Sequence, residues 1–333
     1  MKRKCRSALG LILTILLIFG DAPASAGAMS APGEMSSDVS RVLIRNIPED
    51  GLKPGSVGGE WTVVALARAG YREPDLYNRY YENVVKEVES DKGILSAYQY
   101  TDYSRVILGL TAIGRDPRDV GGYDLIQPLA DFDKVAYQGI NGPIWALIAL
   151  DSKEYEMPQL KGAGGTQNSR EKMVDEILSK EIGRGTDSAG GWALSGSAPD
   201  PDLTAMALQA LSNYRDRCDV RAVVERGVNV LSELQDSQGG YASWGTANAE
   251  STAQVVVALI GLGIDPDGKN FMKNGHTILS ALEKYDLPDQ GFRHLLSDLT
   301  PNAMATDQCA CALAAYNRFQ WDKTPLYDMT DVA

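Results

Sequence analysis

The sequence predicts an all-α protein built as two concentric rings, six inner helices and six outer ones. Three observations predict it. First, a Gly-aromatic loop, a helix start and a short apolar helix recur, with fainter early copies, and the units close at Leu66, Leu110, Leu150, Leu211, Leu259 and Leu313. Second, helices apolar on nearly every side alternate with helices bearing one apolar stripe. The first kind must be buried on most sides, whereas the second covers something on a single face. Third, no segment reads as a strand and no long linker divides the chain. Repeats of this size need their neighbours to bury their apolar faces.

The clearest unit is Gly239–Leu262, GGYASWGTANAESTAQVVVALIGL. Gly190–Leu211 (GGWALSGSAPDPDLTAMALQAL) and Gln290–Leu313 (QGFRHLLSDLTPNAMATDQCACAL) are variants of it. Aligning the closing Ala-Leu puts Thr204, Thr252 and Thr306 in one column and Asp200, Asn248 and Asn302 in another, four residues earlier. The second column holds residues that favour helix N-caps, and Asp200 is followed by Pro201 at the first helical position. Ser251 and Gln254 read as a capping box.

In chain order, apolar helices are expected from about Trp61, Asp102, Gly142, Pro201, Ser251 and Pro301. Striped helices are expected at Asp38–Ile47, Asp75–Val88, Asp124–Asp133, Asn168–Ile182, Val220–Leu234 and Lys269–Tyr285. Leu76, Tyr80, Val84 and Val88 form one such stripe. The body of the fold then spans residues 36–320, and residues 321–333 (WDKTPLYDMTDVA) form an extended tail.

The first 26 residues read as a secretory signal peptide. Lys2, Arg3, Lys4 and Arg6 are its basic region, Leu9–Phe19 its apolar region, and Ala24-Ser25-Ala26 its cleavage site. Residues 27–35 read as a flexible lead-in. The expected location is therefore outside the cell or on its surface, with no membrane span in the mature chain. Net charge is −12, which argues against nucleic acid and anionic lipid as partners. Beyond the leader, Cys218, Cys309 and Cys311 are too few for a disulfide framework.

The Gly-Gly-aromatic loop followed by Thr-Ala and an apolar helix resembles the prenyltransferase and squalene-cyclase repeat. Gln138–Ser152 (QGINGPIWALIALDS) resembles that signature too, especially as it stands in secreted bacterial surface proteins carrying these repeats. The resemblance covers about Asp38 to Phe319 and implies an α6/α6 toroid, the fold also used by the α domain of transcobalamin and intrinsic factor. It implies little about chemistry, because that fold hosts cyclases, protein prenyltransferases and vitamin carriers.

Four candidate sites follow. Asp200-Pro201-Asp202-Leu203-Thr204-Ala205 resembles the acid motif of terpenoid cyclases, in which Asp202 would be the proton donor and Asp200 its neighbour. Leu203 stands where the family has a further Asp, so capping competes with catalysis here. Asp202 and Glu250 hold equivalent places in adjacent repeats, where two carboxyl groups could act as an acid/base pair on a glycan. Asp307-x-Cys309 resembles part of a prenyltransferase zinc site, but the ligand set is incomplete and no metal is expected. Trp61, Tyr103, Arg105, Asn141, Trp145, Trp192, Trp244, Gln254 and Gln308 lie near the inner helix starts, a mixture suited to a ring-bearing or glycan ligand. The sequence favours a ligand-binding or surface-interaction module over an enzyme, with no cofactor. Cobalamin, clasped with a β-domain partner, is one version of such binding. A terpenoid-cyclase-like lyase or isomerase using Asp202, or a glycan-active enzyme using Asp202 and Glu250, are the alternatives.

Overall fold

The computed structural model describes residues 32–333 apart from 56 and 163. The leader and residues 27–31 lie outside the described residues. Twelve α-helices are present among the described residues. Six form the inner ring: α2 (Glu60–Ala69), α4 (Tyr100–Ala112), α6 (Asn141–Asp151), α8 (Pro201–Leu211), α10 (Ala249–Gly261) and α12 (Ala303–Gln320). Each packs on the next, and α12 packs back on α2, closing the circle. The fold is an all-α toroid.

Outside them lie α1 (Pro32–Arg45), α3 (Pro74–Ser90), α7 (Arg170–Ser179), α9 (Cys218–Leu234) and α11 (Ile278–Glu283). The remaining outer place is taken by one turn, α5 (Phe132–Val135), between two short 3-10 turns. The α3 stripe of Leu76, Tyr80, Val84 and Val88 is buried as a set. The inner helices are covered almost all round; in α10 every residue from Ser251 to Ile260 is buried. The centre of α12 is nearly all Ala and Cys, which lets α10 and α2 approach it closely, and Cys309 and Cys311 are free and buried there.

Several expectations need correction. Helix α1 begins at Pro32, so residues 32–35 are helical and not lead-in, and Met35 is buried. No full helix covers Asp124–Asp133. The Asp124 carboxylate accepts from the Ile126 and Gln127 amides, and Asp131 from that of Asp133, so side chains take donors that a helix would use. Helix α11 is only Ile278–Glu283. Residues 269–277 are held in turns by the Lys273–His276 bridge and by the Gln235 amide on the Phe271 carbonyl. Two short antiparallel hairpins also occur, β1 (Ala242–Ser243) with β2 (Thr246–Ala247) and β3 (Asp286–Leu287) with β4 (Gly291–Phe292).

The repeated threonines have one shared duty. Thr204 Oγ1 accepts from the Trp192 amide at 3.0 Å, Thr252 Oγ1 from Tyr241 at 3.3 Å, and Thr306 Oγ1 from Phe292 at 3.0 Å. Each bond pins an aromatic loop to the start of its inner helix. The preceding glycine makes room. A Cβ on Gly291 would stand 2.7 Å from Thr306 Oγ1, at a φ of +108° that L side chains avoid. Gly291→Ala is expected to cost about 1–3 kcal/mol. Gly240→Ala, where a Cβ meets nothing closer than 3.5 Å, should change stability by only about 0.5 kcal/mol or less. Thermal denaturation of the two variants checks the contrast.

The tail closes the end of the ring where the inner helices finish. Arg68, at the end of α2, donates to the Leu326, Pro325 and Asp328 carbonyls and to Asp331. Arg318 of α12 holds Asp331 from the other side at 2.6 Å. The Met329 amide donates to the Ser152 carbonyl at 2.7 Å, and Leu326 and Met329 are buried. Tyr327 enters the bore and meets Trp61 and Trp145 edge-on, at 6.5 and 5.9 Å between centroids.

Candidate active site

All six inner helices start at the opposite end, and their first turns define a mouth. Asp200, Asn248 and Asn302 are N-caps, accepting from the amides of Leu203, Ser251 and Ala305. Ser251 is therefore a first-turn residue capped by Asn248, which corrects the capping-box reading. Glu60, Asp102, Asp202 and Glu250 lie in the first turns of α2, α4, α8 and α10.

Asp202 and Glu250 are the second residues of two helices that pack side by side. Burial pushes the Asp202 carboxyl up to about 6, and the charges of Asp200 and Glu250 add to the rise. Asp202 Oδ1 and Ser251 Oγ are buried with no hydrogen-bond partner in the protein, as is Asn141 Oδ1 at the start of α6. Buried polar atoms are seldom left unpaired. These three stand at the starts of three successive inner helices.

The neighbouring groups are fixed more firmly. Ser243 on β1 donates to Asp200 Oδ2 at 2.5 Å. Glu250 Oε2 lies 2.7 Å from His294 Nδ1, and the His294 carbonyl accepts from the Ala249 amide, so the β4 loop grips the α10 start twice. Glu60 is wholly buried and accepts from Arg105 Nε at 2.8 Å and from the Tyr80 hydroxyl at 3.2 Å. Arg105 also reaches Asp102 at 3.0 Å, so its charge is already matched.

Trp61, Trp145, Gln254 and Gln308, one or two turns into their inner helices, face the bore. Trp61 and Trp145 stand on helices separated by α4 around the ring, yet their rings are 5.1 Å apart, so they meet across the axis. Gln254 and Gln308 share a 2.6 Å bond and Gln209 joins Gln254 below. These residues, with Tyr327, form the floor beneath the mouth. Two expected ligand contacts are corrected. Trp192 is fully buried, its indole N–H donating to the Ile177 carbonyl, and Tyr103 is buried with its hydroxyl accepting from the Leu95 amide. Both brace loops and offer no surface to a ligand. Trp244 is 80% exposed at the tip of the β1–β2 hairpin, above the mouth. Asp307 is spent on the Gly58 amide and the Thr62 hydroxyl. The sequence reading missed His294, Ser243 and Glu60. His294 lies in the loop after β4 and Ser243 on the two-residue strand β1, with no repeat column to flag them.

A small cavity of about 70 Å³ lies at the closed end between α6, α8, α10 and the tail, away from these carboxyls.

No family model and no curated protein matches the chain. Solved structures do. The unsaturated glucuronyl hydrolase of Bacillus sp. GL1, responsible for the degradation of glycosaminoglycan, is similar over 89% of this chain and 97% of its own, with TM-score 0.52 and 13% identity. A variant of the unsaturated glucuronyl hydrolase of Streptococcus agalactiae, complexed with dGlcA-GalNAc6S, is similar over 89% of this chain and 92% of its own, with TM-score 0.52 and 11% identity. The toroid expected from the repeat is thus the shared fold. The prenyltransferase and squalene-cyclase affiliation finds no support, and the glycosidases are the stronger match. They also correct the leaning away from an enzyme and the cyclase-like lyase or isomerase chemistry, because the similar proteins are hydrolases of glycans. Nothing in them supports a β-domain partner or cobalamin.

Proposed function

We propose that this protein is a glycan-active hydrolase that cleaves a glycosidic bond at the mouth of the toroid, with Asp202 as the proton donor and Glu250 as the second carboxylate. The observation that supports it best is Asp202 itself, a buried carboxyl with an unpartnered oxygen, poised beside Glu250. Two carboxyl groups in unlike surroundings are what acid/base cleavage of a glycoside needs. Asp202 gives its proton to the leaving oxygen as the anomeric C–O bond breaks. Glu250, oriented by His294, either takes a proton from the attacking water or attacks the anomeric carbon itself. Asn141 and Ser251 offer further hydrogen bonds to the bound sugar. The leader read at residues 1–26 puts the enzyme outside the cell, where polymeric glycans are met.

The test is product release from a panel of oligosaccharides, followed by chromatography or mass spectrometry. A working donor must hold its proton, so turnover should fall as pH rises through about 6, the value to which Asp202 is pushed. Glu250→Gln should lower turnover about 10²-fold or more. A panel with no cleaved member, or a Glu250→Gln variant as fast as the parent, refutes the proposal.

A further inference from the structure

The charge balance of the mouth narrows the kind of sugar. Within the first two turns of the six inner helices stand five carboxyl groups, Glu60, Asp102, Asp202, Glu250 and Asp307, and a single cation, Arg105. Arg105 already spans Glu60 and Asp102. In the loop after β4, His294 is engaged by Glu250, and the Arg293 guanidinium donates to the Lys284 and Asp298 carbonyls. Six parallel helix starts favour negative charge by their dipoles, but the anions gathered there are the protein's own. No unspent cation among these first turns remains to meet a ligand carboxylate. Meanwhile Asn141 Oδ1 lacks a partner, and an amide oxygen only accepts, so it calls for a donor on the ligand.

The rim adds a second feature. The loops that lead into the inner helices carry exposed apolar side chains, among them Tyr98, Tyr137, Leu194, Trp244 and Leu299. Tyr98 and Tyr137 lie 6.0 Å apart as a pair. Flat apolar plates around a polar well suit the apolar faces of sugar rings stacked above it.

We propose that the sugar bound at this mouth carries no carboxylate and is held most tightly when it carries an amine, its rings resting on Trp244 and the Tyr98–Tyr137 pair. The proposal rests on the hydrolase reading for its location, yet it concerns binding alone. Its chemistry sets the chain apart from the glucuronyl hydrolases whose fold it shares.

The experiment is calorimetric titration of the full chain carrying Asp202→Asn, which stops turnover on the hydrolase reading and leaves four of the five carboxyls. The probes are β-1,4-linked hexasaccharides of glucosamine, glucose and glucuronate, with hexalysine as a control for bare charge. The glucosamine oligomer is expected to bind roughly tenfold or more tightly than the glucose oligomer, with the gap narrowing as salt is added. The glucuronate oligomer should not saturate. Trp244→Ala should weaken the glucosamine oligomer by roughly fivefold. Glucuronate binding as tightly as glucose, hexalysine as tightly as glucosamine, or no oligomer binding at all overturns the proposal. Selective binding by the variant without cleavage by the parent protein would sink the hydrolase reading and leave this one standing.

Discussion

Asp202→Asn is expected to lose about 10²- to 10⁴-fold in turnover while making the folded protein more stable near neutral pH. The two effects come from one cause. An unfolded Asp202 has its carboxyl at 3.8, and folding lifts it to about 6. Between those values the folded chain holds a proton that the unfolded chain has released. Stability contributed by this group is therefore full below 3.8 and is lost as pH rises to about 6. Above that the penalty approaches about 3 kcal/mol, since a tenfold change in proton affinity corresponds to about 1.4 kcal/mol. Asparagine cannot ionise, so it removes the penalty and keeps the shape. The variant should melt several degrees higher than the parent at pH 8 and no higher at pH 4. Calorimetric melting at both pH values, beside an activity assay, checks this. A variant that melts lower at every pH would mean that Asp202 is an ordinary first-turn acid, favoured by the dipole and nothing more.

Arg68→Ala should be the most damaging single change, costing about 3–5 kcal/mol. The guanidinium is 3% exposed and satisfies three carbonyls of the tail besides Asp331 and Thr324. Its loss leaves those acceptors buried without donors, and a methyl group cannot fill the space. Arg68→Lys should recover only part, because an ammonium cannot present the same fork of donors. The two arginines hold the Asp331 carboxyl down to about 2. That stabilisation is present above 3.8 and is lost as pH falls towards 2, so the parent should lose its tail contacts in acid more steeply than Arg68→Ala does. Trp61 and Trp145 beside Tyr327 give the signal. Their fluorescence should shift with tail release, ahead of global melting. Unchanged melting in Arg68→Ala would show that the tail contributes nothing to the ring.

Much of the fold was legible because its marks are local. The closing leucines, the threonine column and the Asp200, Asn248, Asn302 column are each set by one contact repeated from unit to unit. Two outer helices were misjudged where Asp124, Asp131 and Gln235 compete for backbone groups, a contest that periodicity does not display. Of the site, Asp202 and Glu250 could be paired because equivalent places in adjacent repeats become neighbours in a ring. His294 could not, since it joins Glu250 only after β4 folds back from 44 residues away. Trp61 and Trp145 lie near the inner helix starts as expected, but their cross-axis contact with Tyr327 depends on a tail of low periodicity and does not show in the sequence. The missing acid at Leu203 weighed against catalysis in general, when it bore only on one kind.

The corked bore has a consequence for traffic. With Tyr327, Trp61 and Trp145 across the axis and the last residues strapped over the far end, the toroid is a thimble and not a sleeve. A polymer cannot be threaded through it. A chain end can be lowered in, or a strand laid across the brim, and whatever is cut loose must back out by the door through which it came.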